Sequence, residues 1–400
     1  MIEKEELLKK LEALRGEPIQ EFVRRDEEWN DYTEYVDSER ICKNPLVSCC
    51  VFTYNQEKYI RECLDSIVAQ KTDFEYEVLI CEDCSTDGTL AICREFQVRY
   101  PEKVRIIHAN HNYSRGALNF RRGYELALGE YIAICEGDDY WCNDKKIQLQ
   151  ADIMRRHPTV GLCLTESRIQ DFQNKLRVWQ LRNVQPGVIP GKKFFFWHIF
   201  GMNPLKDISG GEVAFIMTAS TLIRRSIYKK ARNIYAIFNW RLRLGDSVKW
   251  LGISSLSDVY YLPAITSVYR LNAQSVMSTA GWQVARDALV VRIWYAGKVL
   301  GMTFERALSA LASLIFINLV YFSSHLSPKE QRIRANLLWH ERILRKFMLS
   351  PRNFSFYMLV RLGLLQRHGV WRLSRLMLTC SPDLVKYFTL HKWYCALSKL

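Results

Sequence analysis

The chain has 400 residues, of which 48% are hydrophobic and 24% charged, and this composition is typical of a folded protein with two or three structural units. Its 19 glycines and 11 prolines are too few for a collagen-like or low-complexity protein. The net charge is +14, and residues 281–400 account for almost all of it, with 18 Lys and Arg against 5 Asp and Glu. We therefore expect an anionic surface or ligand to meet this last part of the chain.

Residues 1–44 predict a polar helical arm and a linker. Leucines recur at helical spacing in residues 7–14, and the linker runs from Trp29 to Pro45. The start, MIEKEELLKK, has no apolar core, so we expect no secretory signal and a cytoplasmic protein. The twelve cysteines lie mostly in apolar runs, which favours reduced, buried thiols. The CxxC of Cys81 and Cys84 is weak evidence for zinc or redox chemistry.

Residues 45–280 alternate strand and helix patterns, which predicts an α/β domain with a mostly parallel sheet. Short apolar runs without alternation are typical of strands that are buried on both faces. Strands are predicted at 46–53, 77–83, 104–109, 130–139, 160–164, 259–262 and 266–269, and an apolar run covers 213–223. Helices are predicted at 54–70, 89–100, 116–128 and 144–157, the last with Asp144 as its N-cap, and one more begins near Gly245-Asp246. Polar clusters follow the strands, where parallel sheets bind ligands.

Residues 281–400 predict a basic helical region with many aromatic residues. Residues 307–322 carry no charge but are fewer than the ~20 that span a bilayer, which favours a buried core helix over a membrane-embedded one. Residues 342–378 interleave basic and aromatic side chains. Such a helix can lie on an anionic membrane surface or be an ordinary solvated helix, and the pattern favours neither.

The acidic tract EGDDYW, residues 136–141, directly follows a predicted buried strand. Its carboxylates suit a divalent cation with oxygen ligands, of the kind that bridges a diphosphate. Such a cation stabilises the negative charge that develops on a leaving nucleoside diphosphate. An acidic turn without function would have the same spacing, but the position at a strand end favours the functional interpretation.

A second polar tract, CEDCSTDGT at residues 81–89, also ends a predicted strand. An aspartate at this point can accept a hydrogen bond from the N–H of a nucleobase. The alternative is that Thr86 or Asp87 caps the helix that begins near Thr89. Both interpretations can hold for different residues of the tract.

In order and spacing, the tracts VSCCVFTYNQEKYIRECLDSIVAQ, VLICEDCSTDGT and GEYIAICEGDDYW resemble family 2 glycosyltransferases. The resemblance covers about residues 45–275. It implies the GT-A fold and transfer of a sugar from a nucleotide-diphosphate donor, with a UDP-sugar expected. The tract EGDDYWCNDKKIQLQ looks especially like bacterial enzymes that build surface polysaccharide.

The resemblance also implies roles for single residues of the donor site. Thr53, Tyr54 and Glu57 match the motif that walls the nucleotide. Asp83 matches the aspartate that recognises the base, usually uracil.

The implied metal site lies in the tract that follows the fourth strand. Asp138 and Asp139 match an aspartate pair of which one ligates Mn²⁺ or Mg²⁺ and the other faces ribose or sugar. The resemblance does not say which is which, and Glu136 stands where the first aspartate usually lies.

Asp246 matches the catalytic base of the family. An inverting transfer needs one carboxylate to deprotonate the acceptor hydroxyl as that hydroxyl attacks the anomeric carbon, and it needs no covalent nucleophile. The alternative for Asp246 is a helix N-cap. Glu212 is a candidate second carboxylate in the acceptor site.

Two features depart from the family pattern. Tyr269-Arg270 is followed by Asn272 where a histidine is usual. If that histidine contacts the donor phosphates in the family, either Arg270 does more of this work here or the affinity for the donor is lower. The helix at 116–128 carries Asn119, Arg121 and Arg122 instead of the commoner Ala-Arg-Asn run, which affects the details of base or sugar recognition.

These observations predict an inverting, metal-dependent hexosyltransferase of surface polysaccharide synthesis, peripheral at the inner face of a bacterial membrane. Its partners would be a nucleotide-sugar donor and a glycan or polyprenyl-diphosphate-linked acceptor. The alternative is a non-catalytic nucleotide-sugar-binding or scaffold protein, which the retained acidic residues disfavour. No nucleic-acid partner is expected, because the basic region contains no recognised motif.

The basic region makes the membrane hypothesis testable. Each Lys or Arg near an anionic surface contributes on the order of 1 kcal/mol to binding, so deleting residues 281–400 should release the protein from anionic vesicles. Co-sedimentation with anionic and with neutral vesicles measures this, and high salt should abolish the binding of the full chain. Unchanged vesicle binding of the shortened chain would contradict the hypothesis.

Overall fold

A computed structural model describes residues 26–112, 117–171, 173–179, 184–200, 216–235, 245–271, 291–297 and 299. Several predictions fall outside these residues: the helical arm at 1–25, the uncharged segment 307–322, the basic segment 342–378, Glu212 and Asn272.

The described strands form one eleven-stranded sheet. They are β1 (Tyr32–Tyr35), β2 (Val47–Thr53), β3 (Tyr76–Glu82), β4 (Val104–Ala109), β5 (Tyr131–Glu136), β6 (Tyr140–Trp141), β7 (Val160–Gln170), β8 (Leu176–Trp179), β9 (Gly187–Ile189), β10 (Thr221–Arg224) and β11 (Asp258–Arg270). Their order is β1-β4-β3-β2-β5-β10-β7-β11-β6, while β8 pairs with β7 and β9 pairs with β11.

Helices cover both faces of the sheet. They are α1 (Asp26–Asn30), α2 (Ile60–Val68), α3 (Thr89–Arg99), α4 (Ala117–Leu126), α5 (Lys146–Arg156), α6 (Gly191–Phe200), α7 (Arg225–Tyr235) and α8 (Gly245–Ser254). A short 3₁₀ turn covers Thr218–Ser220, and residues 291–297 are helical.

Strands β4, β3, β2 and β5 pair in parallel, as the buried apolar runs predict. Their register places Thr53 opposite Glu82, Glu82 opposite His108, and Phe52 opposite Glu136. The polar residues that follow these strands therefore meet at one edge of the sheet.

Alternate side chains of β2 point into two different cores, because successive residues of a strand face opposite sides. Cys50 and Phe52 pack with residues of α4, α7, α8 and the helical residues 291–297. Cys49 and Val51 pack with residues of α2, α3 and α5. The beginning of the basic C-terminal region thus contributes to the core, and the Tyr295 hydroxyl donates a hydrogen bond to the Val248 carbonyl at 2.9 Å.

The second half of the sheet mixes strand directions. β7 and β11 pair in parallel, while β10 runs antiparallel between β5 and β7. The two last strands that the sequence predicts are one long strand, β11, with irregular register near Tyr261 and Ile265. The short strand β6 pairs antiparallel with β11, which brings the loop after β5 to the end of β11.

Two local predictions are wrong. The predicted linker contains β1, whose aromatic and β-branched residues suit an edge strand, and β1 pairs antiparallel with β4. Asp144 does not cap α5, which begins at Lys146. The Asn143 side chain instead accepts a hydrogen bond from the Lys145 N–H, and Asp144 forms a surface ion pair with Lys71.

Within the described ranges no helix is both long and apolar enough to cross a membrane. The ten cysteines in these ranges are free thiols. In the CxxC pair, burial raises the pKa of the Cys81 thiol, and Cys84 lies at the sheet edge with its Sγ 3.4 Å from the Asn110 carbonyl oxygen.

The buried Lys146 makes stability depend on pH. Burial lowers its pKa from 10.5 to about 8, so between those values the unfolded chain binds a proton that the folded protein has released. The free energy of unfolding of the wild type should therefore rise over this window relative to Lys146→Met, by roughly 2–3 kcal/mol. Urea unfolding at pH 7 and pH 10 measures the change, and a constant difference between the two proteins would refute it.

Candidate functional site

The loop after β5 packs tightly on the end of β2. The Gly137 N–H donates to the Phe52 carbonyl at 2.8 Å. A Cβ at Gly137 would lie 2.3 Å from Gln56 Oε1 and 2.7 Å from Thr53 Oγ1, so only glycine fits. The Thr53 hydroxyl and Gln56 Oε1 are buried and have no hydrogen-bond partner among the described residues. This leaves two buried polar atoms unpaired where the acidic loop begins.

Arg270, at the end of β11, fixes the acidic loop. Asp139 is 1% exposed, and its Oδ1 accepts a hydrogen bond from the Arg270 backbone N–H at 2.9 Å. The Arg270 guanidinium donates to the Asp138 carbonyl at 2.8 Å. One residue therefore holds both aspartates of the predicted metal pair.

The Arg270 side chain is largely committed to protein partners. Its Nε donates to Gln170 Oε1 at 3.1 Å, its Nη2 pairs with Glu62, and its guanidinium carbon lies 4.5 Å from the centre of the Tyr140 ring. Together with the bond to the Asp138 carbonyl, three of its five N–H groups donate to protein acceptors. Two N–H groups remain for the predicted contact with the donor phosphates, and this contact stays a prediction.

Asp246 is the second residue of α8, and its carboxylate has two partners. Lys249 Nζ lies 2.7 Å from Oδ1, and the Thr218 hydroxyl donates to Oδ2 at 3.1 Å. The side chain remains 43% exposed. Both described partners of the carboxylate are side chains, so the capping alternative has no support from these contacts.

Four carboxylates influence one another at this edge. Burial, then Asp246 and Asp138, raises the pKa of Glu136 to about 8. Burial, then Asp138 and Glu136, raises the pKa of Asp139 well above its usual value. The pKa of the Tyr269 hydroxyl is raised by burial and then by all four carboxylates. The structure thus brings the predicted base and the predicted metal pair into one electrostatic site.

The donor set at this site fits a hard divalent cation. Among the described side chains no group of three or more His, Cys, Asp or Glu could by itself hold a metal ion. Mg²⁺ is usually bound by only one or two carboxylates together with substrate phosphates and water. Asp138 and Asp139 supply carboxylates of that number, and their mutual repulsion is what a cation would relieve.

The predicted nucleotide side of the site is built from the ends of β2 and β3. The Asp83 N–H donates to the Thr53 carbonyl at 3.1 Å, and the Asn112 amide donates to the Asp83 carbonyl at 3.1 Å. Asp83 is 5% exposed and lies near the buried Arg122, whose guanidinium it influences. Tyr54, in contrast, is 45% exposed at the rim.

Glu57 is joined to the loop before α3. Its Oε2 accepts a hydrogen bond from the Gly88 N–H at 3.1 Å, and its own N–H donates to Asp87 Oδ2 at 3.1 Å. Asp87 Oδ1 accepts from the Thr89 N–H at 3.0 Å, which supports the capping role for Asp87 and not for Thr86. Through these contacts Glu57 stabilises the loop before α3 at the rim of the site.

Arg122 of α4, one of the residues that depart from the family pattern, holds the segment of residues 28–31. Arg122 is fully buried, and its guanidinium donates to the backbone carbonyls of Trp29 at 3.2 Å, Asp31 at 3.1 Å and Glu28 at 2.5 Å. The side chain of Asp31 in turn accepts from Asn110 at 2.9 Å. The arginine that departs from the family run therefore anchors α1 and β1 beside the predicted nucleotide side.

Sequence reasoning missed two partners of the predicted base. Lys249 follows Asp246 by three residues on a predicted helix, a spacing that places the two side chains on one face and could have revealed it. Thr218 lies 28 residues before Asp246, in a 3₁₀ turn, and nothing in the pattern pointed to it.

A parallel half-sheet with an acidic loop after β5 and a buried aspartate directly after β3 is typical of α/β proteins that bind ligands at the carboxyl edge of the sheet. Residues 48–232 match the model of the Glycosyl transferase family 2, so this part of the chain is a family 2 glycosyltransferase domain. The resemblance read from its motifs is thereby confirmed.

The curated relatives align over short segments of the chain. The uncharacterized protein Rv1520 of Mycobacterium tuberculosis is 43% identical over 123 residues, 31% of this chain and 35% of that protein. The dTDP-rhamnosyl transferase RfbG of Shigella flexneri is 40% identical over 96 residues, 23% of this chain and 33% of that protein. The chain thus spans about a third of the length of these relatives.

Solved structures share the fold. The crystal structure of S. aureus TarS 1-349 in complex with UDP-GlcNAc is 17% identical, with a TM-score of 0.52, and covers 82% of this chain and 90% of that one. The predicted GT-A fold is confirmed.

The anchoring by Arg122 can be tested by substitution. Arg122→Met leaves the buried Trp29 carbonyl and the partly buried Glu28 and Asp31 carbonyls without their donor, so the free energy of unfolding should fall by about 2–4 kcal/mol. Amide hydrogen exchange should accelerate in residues 28–35, whereas the exposed Arg99→Met should change neither quantity. Unchanged protection of residues 28–35 in Arg122→Met would show that the segment is held by other contacts.

Proposed function

We propose that the protein is an inverting, metal-dependent hexosyltransferase of surface polysaccharide synthesis. It takes a sugar from a nucleoside-diphosphate donor, with UDP as the expected nucleotide, and transfers it to a hydroxyl of a glycan or a polyprenyl-diphosphate-linked acceptor. The observation that carries the proposal is the joining of Asp246 with Glu136, Asp138 and Asp139 in one electrostatic site. Family membership supports it, as does the name of the RfbG relative.

The nucleotide is assigned to the edge formed by β2 and β3. Asp83 would accept the N–H of a pyrimidine imide, and it is held for this by backbone contacts to Thr53 and Asn112. Thr53 and Tyr54 would wall the base and ribose. The buried, unpaired Thr53 hydroxyl supports a contact in this region that the protein alone does not provide.

Asp138 and Asp139 would hold Mn²⁺ or Mg²⁺. When bound, the ion would stabilise the negative charge of the departing nucleoside diphosphate. Arg270 keeps the two aspartates in place through its backbone N–H and its guanidinium. The loop is therefore organised by the protein before any donor arrives.

Asp246 would act as the general base. The acceptor hydroxyl gives its proton to the carboxylate while its oxygen bonds to the anomeric carbon, and the bond from that carbon to the diphosphate oxygen breaks. A single displacement of this kind inverts the anomeric configuration. The exposure of the Asp246 side chain supports access by an acceptor.

The basic C-terminal region would bring the enzyme to the inner face of the membrane, where a lipid-linked acceptor lies. Its positive charge supports this assignment. The second candidate, a scaffold that binds nucleotide sugars without catalysis, would retain donor binding and lack transfer.

A donor screen tests the proposed function. The protein is mixed with a panel of nucleotide sugars and Mn²⁺ or Mg²⁺, and both nucleotide binding and nucleoside diphosphate release are measured. One donor should bind and turn over, Asp139→Ala should lose both activities, and Asp246→Asn should bind the donor but lose about 10²–10⁴-fold in rate. The surface variant Asp144→Ala serves as the matched control and should behave as the wild type.

Two other outcomes decide against the proposal. Binding of a donor with no turnover, even with glycan acceptors present, would favour the scaffold. Absence of turnover together with absence of metal-dependent binding of any nucleotide would also contradict the enzyme and favour the scaffold.

A further inference from the structure

We propose that Lys249 is a positioning residue, which holds the carboxylate of Asp246 in the orientation needed to receive the acceptor proton. This inference rests on the proposed function, in which Asp246 is the base. Lys249 Nζ lies 2.7 Å from Asp246 Oδ1 and donates to the Tyr124 hydroxyl at 2.5 Å. No motif of the sequence assigns a task to this lysine.

The ammonium of Lys249 lies in an aromatic enclosure. It is 5.7 Å from the ring centre of Phe120, 4.8 Å from that of Tyr124 and 5.3 Å from that of Trp250. Tyr124 is itself fixed, because its ring stacks on Tyr228 with a centroid distance of 4.6 Å. Cation–π contacts and two hydrogen bonds leave the ammonium little freedom to move.

Stability does not explain a lysine at this position. Lys249 is only 6% exposed, and a buried ion pair usually costs about as much in desolvation as it returns in attraction. A hydrophobic residue would pack against the same three rings without that cost. The placement of the charge directly on the Asp246 carboxylate therefore indicates a role in the site.

The need for such a partner follows from the surrounding charges. Glu136 lies within electrostatic reach of the Asp246 carboxylate, and repulsion between two like charges favours a rotamer that turns Asp246 away. Lys249 opposes this by attraction to Oδ1, while the Thr218 hydroxyl holds Oδ2. A carboxylate can accept about four hydrogen bonds, so two directions remain for the acceptor hydroxyl.

Steady-state kinetics with the donor found in the screen test the inference. Lys249→Met should lower kcat by about 10- to 100-fold, the cost of a misplaced catalytic group, with the donor Kd unchanged within about twofold. Lys249→Arg retains the charge and should recover at least half of the loss on a logarithmic scale. Lys146→Met makes the same substitution at a buried lysine outside the site and should keep the wild-type kcat.

Tyr124→Phe gives a second test that does not remove the charge. It deletes the hydroxyl that fixes Lys249 and keeps the ring that stacks on Tyr228. We expect kcat to fall by about 3- to 10-fold without loss of donor affinity. If Lys249→Met does not fold, this variant decides alone: a lowered kcat supports the inference and an unchanged kcat overturns it.

The failure of this inference differs from the failure of the proposed function. If Asp246→Asn is inactive while Lys249→Met and Tyr124→Phe have the wild-type kcat, only the role of Lys249 is wrong. If Asp246→Asn has the wild-type rate, or if no donor turns over, the base assignment fails and the inference fails with it. A loss of donor affinity in Lys249→Met with kcat unchanged would also overturn the inference.

Discussion

The crowding of negative charge at the carboxyl edge of β5 is the constraint to which the rest of the site responds. Burial and the neighbouring carboxyl groups raise the pKa of Glu136 to about 8 and also raise the pKa values of Asp139 and Tyr269. Such an arrangement is unfavourable for an isolated protein, since like charges in a buried setting destabilise it. In the proposed function, a cation bound by the aspartates would relieve this repulsion.

Two basic residues, Arg270 and Lys249, contact the aspartates of this site. Arg270 reaches Asp139 and the Asp138 carbonyl because β6 pairs with β11 and brings the acidic loop to the end of that strand. Lys249 reaches Asp246 because both lie on the first turns of α8, which packs on α7 and on the sheet. Topology therefore positions the proposed metal pair, and a single helix positions the proposed base.

The parallel half of the sheet and its acidic loop were predictable, because continuous apolar runs and strand-end carboxylates are local features. Edge strand β1 was missed because four residues between polar segments resemble a linker. Asp144 was misassigned as a cap, since Asn143 beside it is an equally good capping residue. The contact between Arg270 and Asp139 spans 131 residues, and only the assembled sheet reveals it.

A crystal structure of the protein grown with MnCl₂ and UDP would test the central claim most directly. Anomalous scattering locates Mn²⁺ without reference to activity. We predict one strong peak in contact with a carboxylate of Asp138 or Asp139, bridged to the diphosphate, with the uracil beside Asp83. UDP bound in that position with no metal at either aspartate, or bound elsewhere on the molecule, would contradict the account.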